Sequence, residues 1–126
     1  MILADTSVWI DHLRSTDPVL ADLLDQNVIL AHPWVTGEVS LGNLSKRDEV
    51  IGSLDRLGQA SVATDAEVRR LIENEALYGL GIGYVDAQLL ASTRLTRDAE
   101  LWTRDKRLAQ AARRLGCAFT PTPHPR

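Results

Sequence analysis

Four carboxylates in this 126-residue chain stand where an acid needs a reason. Asp5 ends the apolar run Ile2-Leu3-Ala4, and Glu38 interrupts WVTGEVSLGNL. Asp86 lies inside the apolar segment GYVDAQLLAS, and Asp105 follows ELWT after one residue. Each has a structural reading. Asp105 could cap the helix starting at Lys106, Asp86 could sit in the positive field at its own helix start, and Glu38 could face solvent. Asp5 resists that reading most, because an acid closing a buried strand needs a partner. Together, four carboxylates converging on one cleft repel one another unless a cation neutralises them. Oxygen-only donors suit Mg²⁺ or Mn²⁺, which take few carboxylates and keep several waters. His12, His32 and His124 show no zinc spacing with Cys117. Such a site activates water for in-line attack on a phosphodiester. The Thr6 and Ser7 hydroxyls could orient a water or an acid there, cap a helix, or do both.

The elements that must position these acids alternate. Ile2–Ala4 suits a buried strand, with a short helix behind it over Val8–Arg14. Asp17-Pro18 is a helix start, an N-cap followed by proline at the first helical position. Residues 28–31 read as a second strand, and 33–44 and 46–57 as helices. A brief third strand is expected over 60–63. Thr64-Asp65-Ala66-Glu67 resembles a capping box, opening a helix that runs to Leu77. An apolar helix follows over Val85–Leu95, then a strand over Glu100–Thr103, a helix over Lys106–Leu115 stopped by Gly116, and a last strand over Cys117–Phe119. Short strands alternating with helices imply a parallel sheet covered on both faces, an α/β sandwich. In such sheets the working site lies beyond the C-terminal ends of the strands.

Length and composition fit one globular domain, expected over residues 1–120, with TPTPHPR giving an extended C-terminal tail over 121–126. No apolar run approaches the roughly 18 residues of a membrane span. Asp5 interrupts any leader at the N-terminus, and the lone Cys117 excludes an internal disulfide; both fit a cytoplasmic location. Net charge is −3, which alone argues against a nucleic-acid binder, but it is unevenly spread. Residues 1–91 carry 6 Lys/Arg against 14 Asp/Glu, whereas residues 92–126 carry 8 against 3. An acidic body with a basic last third could join a cation site to a polyanion-facing surface, although helix surfaces also scatter charge.

The glycines of YGLGIGYVD space as G-x-G-x-G, behind a helix rather than a strand, so they do not make the phosphate-binding fingerprint G-x-G-x-x-G. MILADTSVWIDHL, the lone Glu in TGEVSLGNL, GLGIGYVDAQLLAS and LWTRDKRLAQAA resemble instead the successive motifs of PIN-domain ribonucleases, specifically the VapC toxins of bacterial toxin–antitoxin pairs. The resemblance spans residues 1 to about 119. It implies a PIN-like three-layer α/β/α sandwich with a short central parallel sheet. It also implies endonucleolytic cleavage of single-stranded or structured RNA, leaving a 3′-hydroxyl and a 5′-phosphate. On that resemblance Asp5, Glu38, Asp86 and Asp105 form the acidic quartet. Asp5 and Asp86 are the firmest metal ligands, Asp105 binds metal or positions water, and Glu38 completes the pocket. Ser7 and Thr103 match supporting hydroxyl positions. The glycines become a flexible turn delivering Asp86 to the cleft, with Gly83 leaving room at its mouth. Where many relatives carry a further acid two residues after the last motif Asp, this chain has Arg107, which leaves the number of metals open.

Arg94, Arg97, Arg104, Lys106 and Arg107 are candidates for RNA backbone contacts, with a solvated basic surface as the alternative for each. The family is held inactive by a VapB antitoxin whose C-terminal segment wraps the toxin, and it usually forms homodimers. Trp9, Leu13, Trp34 and Val35 could line the antitoxin groove, or serve as core. Other readings compete. A haloacid-dehalogenase-type phosphatase needs a second Asp two residues after the first, and that position is Ser7. A receiver domain needs an acidic pair near the end of strand one. An inactive PIN fold serving as a binding module is opposed by the presence of all four acids.

Overall fold

A computed structural model describes residues 1–121. The chain runs β1 (Ile2–Ala4), α1 (Thr6–Arg14), α2 (Pro18–Asp25), β2 (Ile29–Ala31), α3 (Pro33–Ser40), α4 (Arg47–Arg56), β3 (Gly58–Gln59), α5 (Asp65–Asn74), α6 (Tyr84–Leu95), β4 (Glu100–Trp102) and α7 (Lys106–Arg114). The strands pair in parallel in the order β3-β2-β1-β4. Leu3 stands opposite Leu30 on one side and Leu101 on the other. Every residue of β1 and β2 is buried. Successive strand residues point to opposite faces, so complete burial means that both faces are covered. The main core is built on Leu3, Leu20, Leu30, Leu90, Leu101 and Leu108.

Sheet order creates a switch point. From β1 the chain moves outward through β2 to β3, then returns to lay β4 on the other edge of β1. The crevice at the C-terminal ends of β1 and β4 is where an open parallel sheet places a ligand. Asp5 and Thr103 leave the sheet there, and the Asp5 N–H donates to the Trp102 carbonyl at 3.0 Å.

Several element boundaries differ from the sequence expectation, for backbone reasons. The third strand lies at Gly58–Gln59 rather than 60–63; only the Ala60 N–H extends the ladder, to the Ala31 carbonyl at 2.8 Å. The last strand reduces to a single bridge between Leu101 and Ala118 on the outer edge of β4. Helix α4 starts at Arg47 because Lys46 is left-handed, with φ 53°. Helix α3 stops at Ser40, short of Leu44, where the Leu41 and Gly42 N–H groups turn back to Glu38 and Val39.

Helix α5 ends at Asn74 rather than Leu77. There the Leu77 N–H reaches the Ile72 carbonyl at 3.0 Å and the Ala76 N–H reaches Glu73, a Schellman closure with Ala76 at φ 50° where glycine is favoured. The expected tail over 121–126 falls outside the described residues apart from Pro121.

Candidate active site

Three of the four acids occupy helix starts. Asp5 Oδ1 accepts from the Val8 N–H at 3.3 Å and caps α1, and Asp105 Oδ1 accepts from the Leu108 N–H at 3.0 Å and caps α7. Asp86, in the first turn of α6, accepts from the Gly83 N–H at 3.2 Å. The helix field at each N-terminus favours the ionised acid. The capping roles foreseen as alternatives for Asp86 and Asp105 therefore exist, and they share the residues with the site.

A polar scaffold fixes Asp5. The Ser7 Oγ accepts from the Arg104 N–H at 3.0 Å, so its own proton goes to Asp5 Oδ1 at 2.5 Å. Thr103 also bonds the Asp5 carboxyl, and its Oγ1 accepts from the Asp105 N–H at 3.1 Å. Thr6 donates to Glu38 Oε1 at 2.7 Å, tying α1 to α3. Ser7, Thr6 and Thr103 are each hydrogen-bonded to one of the four acids or its backbone.

Burial pushes the Asp5 carboxyl above its ordinary range, against the hydrogen bonds from Ser7, Thr103 and the Val8 and Ser7 backbone. Asp86 is raised too, by burial first, with the charges of Asp105, Asp5 and Glu38 adding to it against the Gly83 N–H. The four acids therefore share one electrostatic neighbourhood. Among the described residues none of them forms an ion pair. Yet no three His, Cys, Asp or Glu side chains among the described residues stand close enough together to hold an ion. Each Asp is turned onto the N–H groups of its own helix, and Glu38 onto Thr6. In donor chemistry the set fits a hard divalent cation: oxygen donors, mutual repulsion and, among the described residues, no ion pair to any of the four acids.

Other expectations are redistributed. Arg104 is not free for RNA: its guanidinium pairs with Asp11 at 2.6 Å and with Asp17, and lies 5.6 Å from the Trp102 ring centroid. Arg94 sits eight residues after Asp86, about 12 Å along α6, and lies 3.9 Å from Glu75. Arg97 follows that same far end and pairs with Asp98. Lys106 and Arg107 remain exposed at the start of α7, beside Asp105. Gly83 has ordinary φ, and a Cβ there would meet only Asp86 at 3.9 Å. The turn requires glycine at Gly79 (φ 75°) and Gly81 (φ 78°) instead.

The four supposed antitoxin-groove residues separate. Val35 is fully buried core. Trp34 packs against Tyr84, with ring centroids 6.2 Å apart. Trp9 and Leu13 line a groove of about 320 Å³ with Leu24, Val50 and Leu57.

A second strand-end cluster escaped the sequence reading. His32 follows β2 as Asp5 follows β1, each after Ile-Leu-Ala, and is completely buried. Its Nδ1 accepts from the Trp34 N–H at 3.0 Å, which leaves Nε2 as donor to Ser92 Oγ at 2.9 Å. Ser92 donates to Gln88 Oε1 at 2.6 Å, and the Gln88 amide is paired with the Ala63 backbone. This chain of bonds ties α3, which carries Glu38, to α6, which carries Asp86. The repeated ILA-x-x signal was its only trace in the sequence.

A short parallel sheet among helices, with acids gathered past its C-terminal edge, defines an α/β PIN-like domain. No family model matches the chain. Two relatives, both named Ribonuclease VapC32 and from two strains of Mycobacterium tuberculosis, are 48% identical to it over 119 residues, covering 94% of this chain and 96% of each relative. The chain belongs to the VapC ribonuclease family of PIN-domain toxins. Among the described residues no helix is long and apolar enough to cross a membrane.

Proposed function

We propose that this chain is a Mg²⁺- or Mn²⁺-dependent endoribonuclease, the toxin of a pair neutralised by a VapB-type antitoxin. The observation that carries this reading is the crowding of Asp86 by Asp5, Glu38 and Asp105, with no ion-pair partner for any of them among the described residues. Asp5, Asp86 and Asp105 would hold the ion, and Glu38 completes the acidic pocket. The bound ion supplies a Lewis acid for the phosphate and a means of activating water.

The chain's own residues prepare the site. Ser7 and Thr103 hold the Asp5 carboxyl, and the Arg104 N–H directs the Ser7 proton toward it. The Gly83 N–H holds Asp86, and the Leu108 N–H holds Asp105. Lys106 and Arg107 flank the site as contacts for RNA phosphates, a role whose signature is steep salt dependence. The antitoxin segment is assigned to the apolar groove along Trp9 and Leu13, and the chain acts as a homodimer in the cytoplasm. Domain limits of 1–120 accompany this reading.

The test is cleavage of a mixed RNA pool by purified protein with Mg²⁺ or Mn²⁺, against EDTA and Asp5→Asn controls. Products that need the metal and vanish in the variant are the expected result. Absence of cleavage by folded, antitoxin-free protein across a broad RNA pool would overturn the proposal.

A further inference from the structure

The turn between α5 and α6 does more than deliver Asp86. It encloses a cavity of about 180 Å³ bounded by Leu77, Tyr78, Ile82, Gly83, Tyr84 and Ala87. This is smaller than the roughly 300–1,000 Å³ of a drug-sized ligand site, and suits a single flat ring system. Its rim is shared with the acidic site, because the Gly83 N–H is bound by Asp86. Two tyrosines stand at the opening, Tyr78 and Tyr84, 64% and 42% exposed. Exposed aromatic rings on a rigid frame are platforms for stacking.

The frame is rigid for visible reasons. The Tyr84 hydroxyl donates to Asp65 Oδ1 at 2.7 Å, anchoring the ring edge to α5, and Trp34 packs against the same ring. Leu77 is buried and plugs the start of the turn. On the far side a Cβ at Gly81 would lie 2.5 Å from the Arg107 guanidinium, so the turn rests directly on that side chain. Arg107 forms no ion pair among the described residues. Within one short arc the surface therefore presents an acidic site, a ring-sized apolar cavity flanked by two π faces, and an unpaired guanidinium. That sequence of chemistries matches a nucleic-acid strand: a phosphodiester, its unpaired base, and a neighbouring phosphate.

We infer that this cavity receives one unpaired nucleobase of the RNA, stacked on Tyr84 and Tyr78, next to the phosphodiester at the acids, with Arg107 on an adjacent phosphate. The inference rests on the ribonuclease reading and narrows its substrate to RNA whose base is free of a helix at that position. A base paired within a duplex has its faces covered and cannot enter.

The experiment measures binding of a short mixed-sequence single-stranded RNA, and of its duplex, by fluorescence anisotropy with the Asp5→Asn protein. Cleavage by the otherwise wild-type protein is followed in parallel. Stacking on one aromatic side chain is worth about 1–3 kcal/mol, so Tyr84→Ala is expected to weaken single-strand binding by roughly 5- to 150-fold. Tyr84→Phe keeps the π face and is expected to bind within about threefold of the parent, which separates stacking from loss of fold. Replacing one nucleotide by an abasic residue is expected to weaken binding to the parent and to add nothing to Tyr84→Ala.

If the parent cleaves RNA but Tyr84→Ala binds and cuts it unchanged, the cavity assignment is overturned and the ribonuclease reading stands. If no RNA is bound or cut by the parent, both fall. If Tyr78→Ala and Tyr84→Ala change the sedimentation coefficient but not RNA affinity, the tyrosines belong to a protein interface and the assignment is again overturned.

Discussion

Replacing Ser92 by Ala tests whether the buried polar chain is a structural tie between the two helices that carry Glu38 and Asp86. Ser92 Oγ accepts the His32 Nε2–H at 2.9 Å and donates to Gln88 Oε1 at 2.6 Å. In the variant Gln88 Oε1 keeps the Ala63 N–H at 2.9 Å, so that acceptor remains satisfied. The His32 N–H does not, and the residue is fully buried. One orphaned buried donor costs about 1–3 kcal/mol, which for a chain of this length lowers the melting temperature by roughly 3–12 °C. Urea unfolding at pH 7.5 is the assay, with a shifted midpoint and an unchanged slope expected. A loss below about 0.5 kcal/mol would mean the ring finds another partner, and the argument for a tie fails.

The same network fixes a pH dependence. Burial holds the His32 ring below the ordinary histidine value, so the folded ring refuses a proton that the unfolded chain accepts below about pH 6.5. Where the unfolded state binds more protons, stability falls as pH falls, here by up to about 1.4 kcal/mol per pH unit. The contribution is present above the unfolded value and is lost below it. His12 is shifted in the same direction by burial, and the raised carboxyls slope the other way, so the comparison must be differential. His32→Asn supplies it, because Asn still caps α3. Wild type is expected to lose stability faster than His32→Asn between pH 7.5 and 5.5; parallel curves would refute the assignment.

Three further outcomes follow from local geometry. Ala76→Gly relieves a left-handed residue at the end of α5 and is expected to stabilise by about 0.5–1 kcal/mol, read as an upward midpoint shift in urea. Asp86→Asn removes a carboxylate that burial and three neighbouring acids disfavour. In EDTA its melting temperature should exceed that of wild type, while added Mg²⁺ should raise the wild-type value and leave the variant's almost unchanged. Arg104 pairs with Asp11 and Asp17. With its side chain 35% exposed, a double-mutant cycle between Arg104→Ala and Asp17→Ala should give a coupling of about 1 kcal/mol, and a coupling near zero would remove its role as a clamp.

The acids were readable because each breaks a pattern. Asp5 ends an apolar run, and Asp86 sits in an otherwise apolar helix start, so charge against context exposed both. Their spatial grouping followed from the strand–helix alternation and the strand-end rule. What the sequence did not show was the individual side-chain partners brought in from distant parts of the chain. Arg104 looked like one more cation in a basic third, and only the fold brings it to Asp11 and Asp17. Groove lining and core were equal readings for Trp9 and Val35, and only the fold separates them: Val35 is fully buried, while Trp9 is buried yet lines a groove. Boundaries slipped where non-glycine residues, Lys46 and Ala76, take left-handed backbone that no residue preference announces. His32 was set aside for lacking zinc spacing, although its place after Ile-Leu-Ala mirrored that of Asp5.

The pairing of Leu3 with Leu101 has a consequence for how the protein is made. Asp5 is translated well before Asp105, and β4 must dock on β1 before the two stand at one crevice. At roughly 5–20 residues per second, synthesis spends several seconds or more on a chain that holds its first acid but not its last. Throughout that time the two acids cannot stand at one crevice, because β4 has yet to pair with β1.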